Sequence, residues 1–214
     1  MSQTVKHIID IVAGILQDTA SDEDDRHWSE SELVDYYNQA VIEIISLNPS
    51  ARAVTRAVKL GSGSKHSIPA NGIKLLDIVR NMGSDGETPG EAVTKADLAA
   101  VEAFNRDWST ETSTASILNF MPDLDDPKSF YCYPPSDGTG YALMRFSEAP
   151  DKVVWDSSGN WESTLVAITD DFVDALTDKV LEYAYKKDSD FPGNKQREDD
   201  SGNEFMQEIA ARSQ

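Results

Sequence analysis

The segment that most constrains the fold is a helix whose start and end are both encoded in the sequence. Ser29 and Glu32 have the spacing of a capping box, in which each side chain accepts a hydrogen bond from the other residue's backbone N–H. Trp28 and Leu33 have the spacing of a hydrophobic staple. Pro49 ends the helix, because the residue before a proline is disfavoured in the α region. The apolar face between these signals consists of Leu33, Tyr37, Ala40, Val41, Ile44 and Leu47.

Apolar residues at helical spacing predict three further helices along the chain. The first covers 4–19, the second covers 94–104 and the third covers about 170–188. Thr94 is the expected cap of the second helix, and Thr169 is the expected cap of the third. The predicted buried residues are Leu98, Val101 and Phe104 in the second helix, and Phe172, Leu176, Val180, Tyr183 and Ala184 in the third.

Alternating residues in the middle of the chain predict β-structure. The run 54–60 is typical of a half-buried strand, and Gly61–Ser64 is a flexible turn before a second strand at 65–69, so we expect a hairpin here. The apolar run 73–80 fits either a strand or a short helix. Two more β-like runs, 128–134 and 141–147, flank a turn formed by Pro135, Ser136, Asp137 and Gly138.

The charge of the chain is strongly acidic. It has 214 residues, with 38 acidic against 19 basic side chains and a formal net charge of −19, and five residues at 21–25 form an acidic loop. Phosphate contacts need clustered Lys and Arg, so the charge argues against DNA binding but permits a wall past which DNA slides. The simpler alternative is a soluble acidic protein that its charge keeps apart from its neighbours.

Motifs for catalysis or metal binding are absent from the sequence. His7, His27 and His66 lie in different predicted elements, and none lies three or four residues from another His or a Cys. Cys132 lies in a predicted strand and suits a small buried side chain. The acidic run at 123–126 lacks the glycine and glutamate of a calcium loop. We therefore expect no catalytic residue, no metal, no cofactor and no enzymatic activity.

Three segments, taken in order, resemble a known family. They are the capped helix, the run KSFYCYPPSDGTGYALMRFSEAP and the helix DDFVDALTDKVLEYAYKKDSDF. Together with the Ile68–Pro69 pair after a glycine turn and the apolar run that ends in Arg80–Asn81, they resemble the head-to-tail adaptor proteins of short-tailed bacteriophages, also described as connector or tail tubular A-like proteins. The strong acidity of the chain and its Gly-Ser-Gly-Ser turn depart from that pattern.

The resemblance implies an α+β, mainly α, fold. The expected body covers 1–190, as a helical bundle with a small antiparallel β part around 53–148, and an extended C-terminal arm covers 191–214. It also implies a ring, dodecameric in the family, that lies under the portal protein, completes the head, docks tail or nozzle proteins and lines the DNA exit channel without binding DNA specifically. No membrane partner is implied. We expect synthesis in the host cytoplasm and a final place in the virion.

The C-terminal segment is expected to need a partner. A helix of about ten residues is marginal in water. Three buried anchors contribute only about 1.5–3 kcal/mol each, whereas ordering the backbone costs about 1–2 kcal/mol for every residue. We predict that Phe191, Phe205, Met206 and Ile209 contact the portal or a neighbouring copy; a frayed terminus without function is the alternative.

Basic residues are predicted at the contacts between copies. Since acidic subunits repel one another when they lie side by side, we expect Arg52, Arg56 and Arg145 to lie close to acids of a neighbouring copy.

Two other functions remain open from the sequence. One is an acidic DNA mimic that blocks a host nuclease, and the other is a virion-associated glycan hydrolase that uses a pair of carboxylates. The acids cluster in loops and at helix starts, which does not favour a continuous mimic of DNA.

Overall fold

A computed structural model of the chain describes residues 3–20 and 26–212. The described residues form two compact units. The helical unit is the chain up to Arg52 together with the chain from Pro150 onward, and the β unit is Ala53–Ala149. Helices account for 41% and strands for 24% of the structure, so the fold is mixed α+β, as predicted. The predicted acidic loop at 21–25 lies outside the described residues.

The elements are named in chain order. The helices are α1 (Val5–Leu16), α2 (Glu30–Leu47), α3 (Leu98–Phe104), α4 (Val173–Lys187) and α5 (Asn194–Ala211). The strands are β1 (Ala53–Lys59), β2 (Ser62–Ser67), β3 (Gly72–Asn81), β4 (Thr94–Lys95), β5 (Asn119–Pro122), β6 (Ser129–Asp137) and β7 (Tyr141–Glu148). Short 3₁₀ turns lie at Pro49–Arg52, Trp108–Thr110, Asn160–Ser163 and Asp170–Phe172.

Helix α2 has the predicted start. The Ser29 hydroxyl accepts a hydrogen bond from the Glu32 backbone N–H at 3.3 Å, and the Glu32 carboxylate accepts one from the Ser29 N–H at 3.3 Å. Trp28 is buried before the cap, and its indole N–H donates to the Ala184 carbonyl at 3.0 Å. Leu47, predicted on the buried face, is instead 47% exposed, because the helix ends there; Val34 and Ile45 are buried.

Helix α4 is the element against which the other helices of the helical unit pack, since it contacts α1, α2 and α5. It begins after a 3₁₀ turn, and the predicted cap Thr169 makes no side-chain capping bond. Leu176, Val180 and Ala184 are buried as predicted, whereas Tyr183 is only half-buried.

The predicted hairpin is wrong. Strand β1 pairs with β7 rather than with β2, and β2 pairs with β6. One antiparallel sheet has the order β1-β7-β3, and a second sheet has the order β2-β6-β5-β4, in which β4 and β5 are parallel. The chain from β1 to β2 therefore forms a long ribbon with the chain from β6 to β7, and this ribbon passes from one sheet to the other.

The glycines lie where the ribbon changes sheet. Leu60 N–H donates to the Gly140 carbonyl at 3.0 Å, which joins the two halves of the ribbon. A Cβ on Gly140 would lie 1.9 Å from the Ala115 carbonyl oxygen. Gly138 has a φ of +87°, which glycine adopts readily. The sequence signal at Gly61–Ser64 thus marks a bend between sheets and not a hairpin turn.

The two sheets share one hydrophobic core. Its buried residues come from both sheets and from the loops between them, and they are Leu60, Ile68, Ile78, Val93, Ile117, Phe120, Phe130, Cys132, Ala142, Met144 and Phe146. The run at 73–80, left open between strand and helix, is the strand β3.

The helix predicted at 94–104 is shorter than expected. Thr94 and Lys95 pair with β5, and the Thr94 N–H donates to the Leu118 carbonyl at 2.9 Å. The helix α3 therefore starts later, capped by Asp97. None of its residues is buried, and Phe104, predicted to face the core, is 95% exposed.

The extended arm expected after residue 190 is also different. Residues Asn194–Ala211 form an 18-residue helix, α5, which packs along α4. This segment is a packed helix and not an extended arm because Phe205 and Ile209 are buried within the same chain. The proposed division into a body at 1–190 and an arm at 191–214 stays a prediction.

The bend between the two sheets gives a first test. Gly140→Ala would place a methyl group against backbone, so we expect it to lower the free energy of unfolding by about 1–3 kcal/mol or more. Gly61→Ala is the matched control, because a Cβ there has no neighbour within 4 Å. Urea unfolding followed by circular dichroism measures both. Equal stabilities of the two variants would contradict the close approach of the chains at Gly140.

Candidate partner-binding surfaces

The four apolar residues predicted for the C-terminal arm divide into two pairs. Phe205 and Ile209 are 1% and 5% exposed and hold α5 on α4, whereas Phe191 and Met206 are 62% and 54% exposed. At the end of the helix, the Asn48 amide donates to the Arg212 carbonyl at 3.0 Å. The buried pair thus binds within the chain, and the exposed pair is left for a partner.

A buried cation joins three helices of the helical unit. The Lys179 ammonium on α4 lies 2.8 Å from a Glu43 carboxylate oxygen on α2 and 3.0 Å from one of Glu182. It also lies 4.8 Å from the centre of the Phe205 ring on α5. The Tyr183 hydroxyl donates to the second Glu43 oxygen at 2.6 Å.

The charge of Lys179 is retained despite its burial. Burial alone lowers the pKa of Lys179, but the hydrogen bonds and charges of Glu43 and Glu182 outweigh this and raise it above its ordinary value. The pKa of Glu43 is lowered despite its own burial, because Lys179 and Tyr183 both donate to it. Lys179 was not predicted from the sequence; its position three residues after Leu176, on the apolar side of α4, was the available signal.

A second cluster at the same helix pair contains only acids. Asp178 on α4 is half-buried, and burial followed by the charges of Glu204, Glu208 and Asp174 raises its pKa from 3.8 to about 6. Glu208 has an ion pair with Arg212. Within the described ranges, Asp174, Asp178 and Glu204 form no ion pair with a cation, so α5 is docked against repulsion between carboxylates.

The structure places the three predicted contact arginines in different surroundings. Arg52 donates to the Ala167 carbonyl at 2.7 Å in the helical unit. Arg56 forms an ion pair of 2.9 Å with the buried carboxylate of Glu148 in the β unit. Arg145 lies exposed on β7. Contact of these arginines with a neighbouring copy stays a prediction, and Arg145 is the most available of them.

The acids of the loops have structural roles. The Asp85 carboxylate accepts hydrogen bonds from Glu87 and Thr88, which lower its pKa from 3.8 to about 2. Asp126 accepts the Lys128 N–H at 3.0 Å and the Ser129 hydroxyl at 2.6 Å. The run that resembled a calcium loop is therefore a turn stabilised by its own carboxylates.

A cavity of about 640 Å³ runs beside α2 in the helical unit. Val41 and Ile42 give it an apolar side, and Asp35 and Glu43 lie on its rim. Asp35 forms an ion pair of 3.1 Å with Lys152. A general acid of a glycan hydrolase needs a raised pKa, whereas the pKa of Glu43 is lowered.

The predicted burial of Cys132 is confirmed. Cys132 is fully buried on β6, and burial raises the pKa of its thiol to about 11. In the ranges that the structure describes, no group of His, Cys, Asp or Glu has the arrangement of a metal site. Among the same residues, no helix is both long and apolar enough to cross a membrane.

Comparison with known families supplies the observation that decides the class of the protein. The family model of SU10 adaptor proteins matches residues 3–214. The chain belongs to the SU10 adaptor protein family. This is a family of phage head-tail adaptors, so the match confirms the coarse form of the resemblance, covers both units, and implies a structural role in the virion. A search of curated proteins gives no match.

The buried cation of this SU10 adaptor family member gives a second test. Lys179→Ala leaves the partly exposed carboxylates of Glu43 and Glu182 without their cation, so we expect the free energy of unfolding to fall by about 1–3 kcal/mol. Lys195→Ala is the control, because that lysine is exposed and its pairs with Glu198 and Asp199 are screened by solvent. Urea unfolding measures both; similar small losses would show that Lys179 does not hold the helices together.

The acidic cluster gives a pH-dependent test. The pKa of Asp178 is higher in the folded chain than in an unfolded one, so this group favours folding at low pH, and its contribution is lost as the pH rises through about 6. We expect Asp178→Asn to be more stable than the parent chain at pH 8 and the difference to shrink as the pH falls toward 4. The exposed Asp200→Asn is the control. A difference that does not change with pH would contradict the repulsion.

Proposed function

We propose that this adaptor forms a ring beneath the portal protein of a phage virion, completes the DNA-filled head and presents the docking surface for tail or nozzle proteins. The observation that carries the proposal is the match of the SU10 adaptor family model to residues 3–214. In this proposal the ring is of the dodecameric type that the resemblance implies. The body is 1–190, a helical bundle with a β part around 53–148, and 191–214 is the arm.

The charge of the chain supports a passive channel. With 38 acidic and 19 basic side chains, a ring of these subunits repels the phosphates of DNA at long range. DNA therefore passes the wall without specific binding. The carboxylates of the described loops are used in turns, which fits a scaffold better than a catalytic surface.

The arm is proposed to bind through the side chains that the chain leaves uncovered. Phe205 and Ile209 keep α5 on the helical unit, and Phe191 and Met206 lie exposed at the start and middle of the same segment. An aromatic and a methionine side chain are typical anchors of protein interfaces. We assign them to the contact with the portal or with a neighbouring copy.

The other two functions have less support. A DNA mimic needs rows of free carboxylates along a surface, whereas many acids here accept hydrogen bonds from their own loops. A hydrolase needs a cleft with a protonated acid, whereas Asp35 and Glu43 beside the α2 cavity are paired with Lys152 and Lys179.

Binding to the portal is the test of this function. We expect the purified chain to co-sediment with rings of the portal protein from the same phage. Phe191→Ala/Met206→Ala removes exposed apolar contacts, so its affinity for the portal should fall by about tenfold or more, which corresponds to 1.4 kcal/mol.

The control is Ile15→Ala/Val154→Ala, which removes two exposed apolar side chains elsewhere in the helical unit. It should bind as the parent chain does, and unfolding by urea should be unchanged in both variants. Absence of co-sedimentation at every salt concentration would refute the adaptor function. Equal binding of both variants would refute only the role of the arm, and the adaptor function would stand.

A further inference from the structure

One face of the sheet β1-β7-β3 is turned away from the core of the β unit. On the central strand β7, Ala142, Met144 and Phe146 are fully buried, while Arg145 between them is exposed. Residues that face each other across an antiparallel pair lie on the same side of the sheet. The register therefore places Thr55 of β1 on the outward side, opposite Arg145.

This outward side carries basic residues. Lys59 lies opposite Tyr141, Arg80 lies opposite Leu143, and Lys74 lies opposite Ser147. We call Lys59, Lys74, Arg80 and Arg145 the basic sheet face; all four are exposed.

The basic sheet face has little neutralising charge of its own. The acidic residue on this face is Asp77, which lies opposite Arg145. The Asp77 carboxylate accepts a hydrogen bond from the Ile78 N–H at 2.9 Å. Within the described part of the chain, none of the four basic side chains forms an ion pair. A patch with a net positive charge is therefore exposed on a chain whose net charge is −19.

The helical unit has the opposite imbalance. It contains ten basic and 25 acidic residues, a net charge of −15, whereas the β unit contains nine and 13, a net charge of −4. At least seven of the ten basic residues of the helical unit pair with carboxylates of the same chain: Lys6, Arg26, Lys152, Lys179, Lys187, Lys195 and Arg212. The helical unit has few cations left for its remaining acids.

We propose that the basic sheet face docks onto the acidic helical unit of a second copy of this chain, at the α4–α5 carboxylates Asp174, Asp178 and Glu204. This assignment rests on the proposed ring and specifies which surface of one copy meets which surface of the next. The two surfaces differ, so the contact is head-to-tail, and such contacts close into rings when the rotation permits.

A protein partner fits this face better than DNA does. Leu143 and Tyr141 on β7 and Ala57 on β1 are half-buried and lie on the same side of the sheet as the basic side chains, so the face mixes apolar and basic groups. Protein interfaces combine apolar and charged contacts in this way. A phosphate backbone would use the basic groups and leave the apolar ones uncovered.

On the acidic side of the proposed contact, a cation from a second copy would be attracted to the carboxylates of Asp174, Asp178 and Glu204. Asp178 is half-buried near the carboxylates of Asp174, Glu204 and Glu208, and burial followed by their charges raises its pKa. A neighbouring copy that brings Arg80 and Arg145 to this cluster lowers the repulsion. Association then both joins two copies and stabilises the docking of α5 on α4.

Sedimentation velocity of the full chain across a concentration series, at low and at high salt, tests the contact. We expect self-association at low salt that weakens at high salt. Arg80→Glu/Arg145→Glu should weaken it by about tenfold or more, because it juxtaposes like charges. Arg106→Glu/Lys128→Glu makes the same change of charge in the β unit away from the basic sheet face, and it should leave the association unchanged.

A charge exchange separates direct contact from a general effect of charge. Asp174→Lys/Asp178→Lys should also weaken self-association, and a mixture of this variant with Arg80→Glu/Arg145→Glu should associate again, since each supplies the partner that the other lost. Circular dichroism of each variant verifies folding.

Three results would overturn the proposal. They are a parent chain that stays monomeric at low salt, a mixture that does not regain association, and a loss of binding to a short DNA duplex as the main effect of Arg80→Glu/Arg145→Glu. The portal assay is independent of these results, so a chain that binds the portal but fails here remains an adaptor whose copies meet through another surface.

Discussion

The structure depends on how an acidic chain distributes its few cations. The helical unit contains two and a half times as many acidic as basic residues, so beside its apolar contacts the placement of each basic side chain between carboxylates matters for helix packing. Lys179 is the central example, because it joins Glu43 of α2 to α4 and lies over the Phe205 ring of α5. At the helix ends, Lys187 and Glu32 tie α4 to the capped start of α2. Asp178 has no such partner among the described residues, and burial together with the neighbouring carboxylates raises its pKa.

The β unit is determined by a different constraint, namely the approach of two backbones. The ribbon made by β1–β2 and β6–β7 changes sheet at Gly140, where even a methyl group would collide with the Ala115 carbonyl. This crossing lets the two sheets share one core. It also leaves one side of β1-β7-β3 without an apolar layer, and that side is where Arg145 and Arg80 are exposed. The surface proposed to bind a second copy is thus a direct product of the strand order.

The elements determined by local signals were predictable from the sequence, and those determined by pairing were not. The capping box at Ser29 and Glu32 fixed the start of α2, and the apolar stripe fixed α4. The glycine turn at Gly61–Ser64 gave a wrong hairpin, because the partner of β1 lies about 90 residues away in sequence. Phe104 was wrongly placed in a core, since the strand pairing of Thr94 shortened its helix. Phe205 and Ile209 were recognised as anchors, but their site on α4 depends on packing that periodicity does not reveal.

The separation of charge within one chain bears on how such an adaptor assembles. If acids and bases were evenly mixed, copies with a net charge of −19 would repel one another in every orientation. Because the helical unit uses most of its cations internally and the β unit leaves Lys59, Lys74, Arg80 and Arg145 exposed, one orientation brings unlike charges together while the others remain repulsive. Repulsion then keeps free copies apart from unrelated acidic surfaces, including DNA, and attraction acts only between a sheet and a helical unit. This separation of charge favours a head-to-tail order in the ring that we propose.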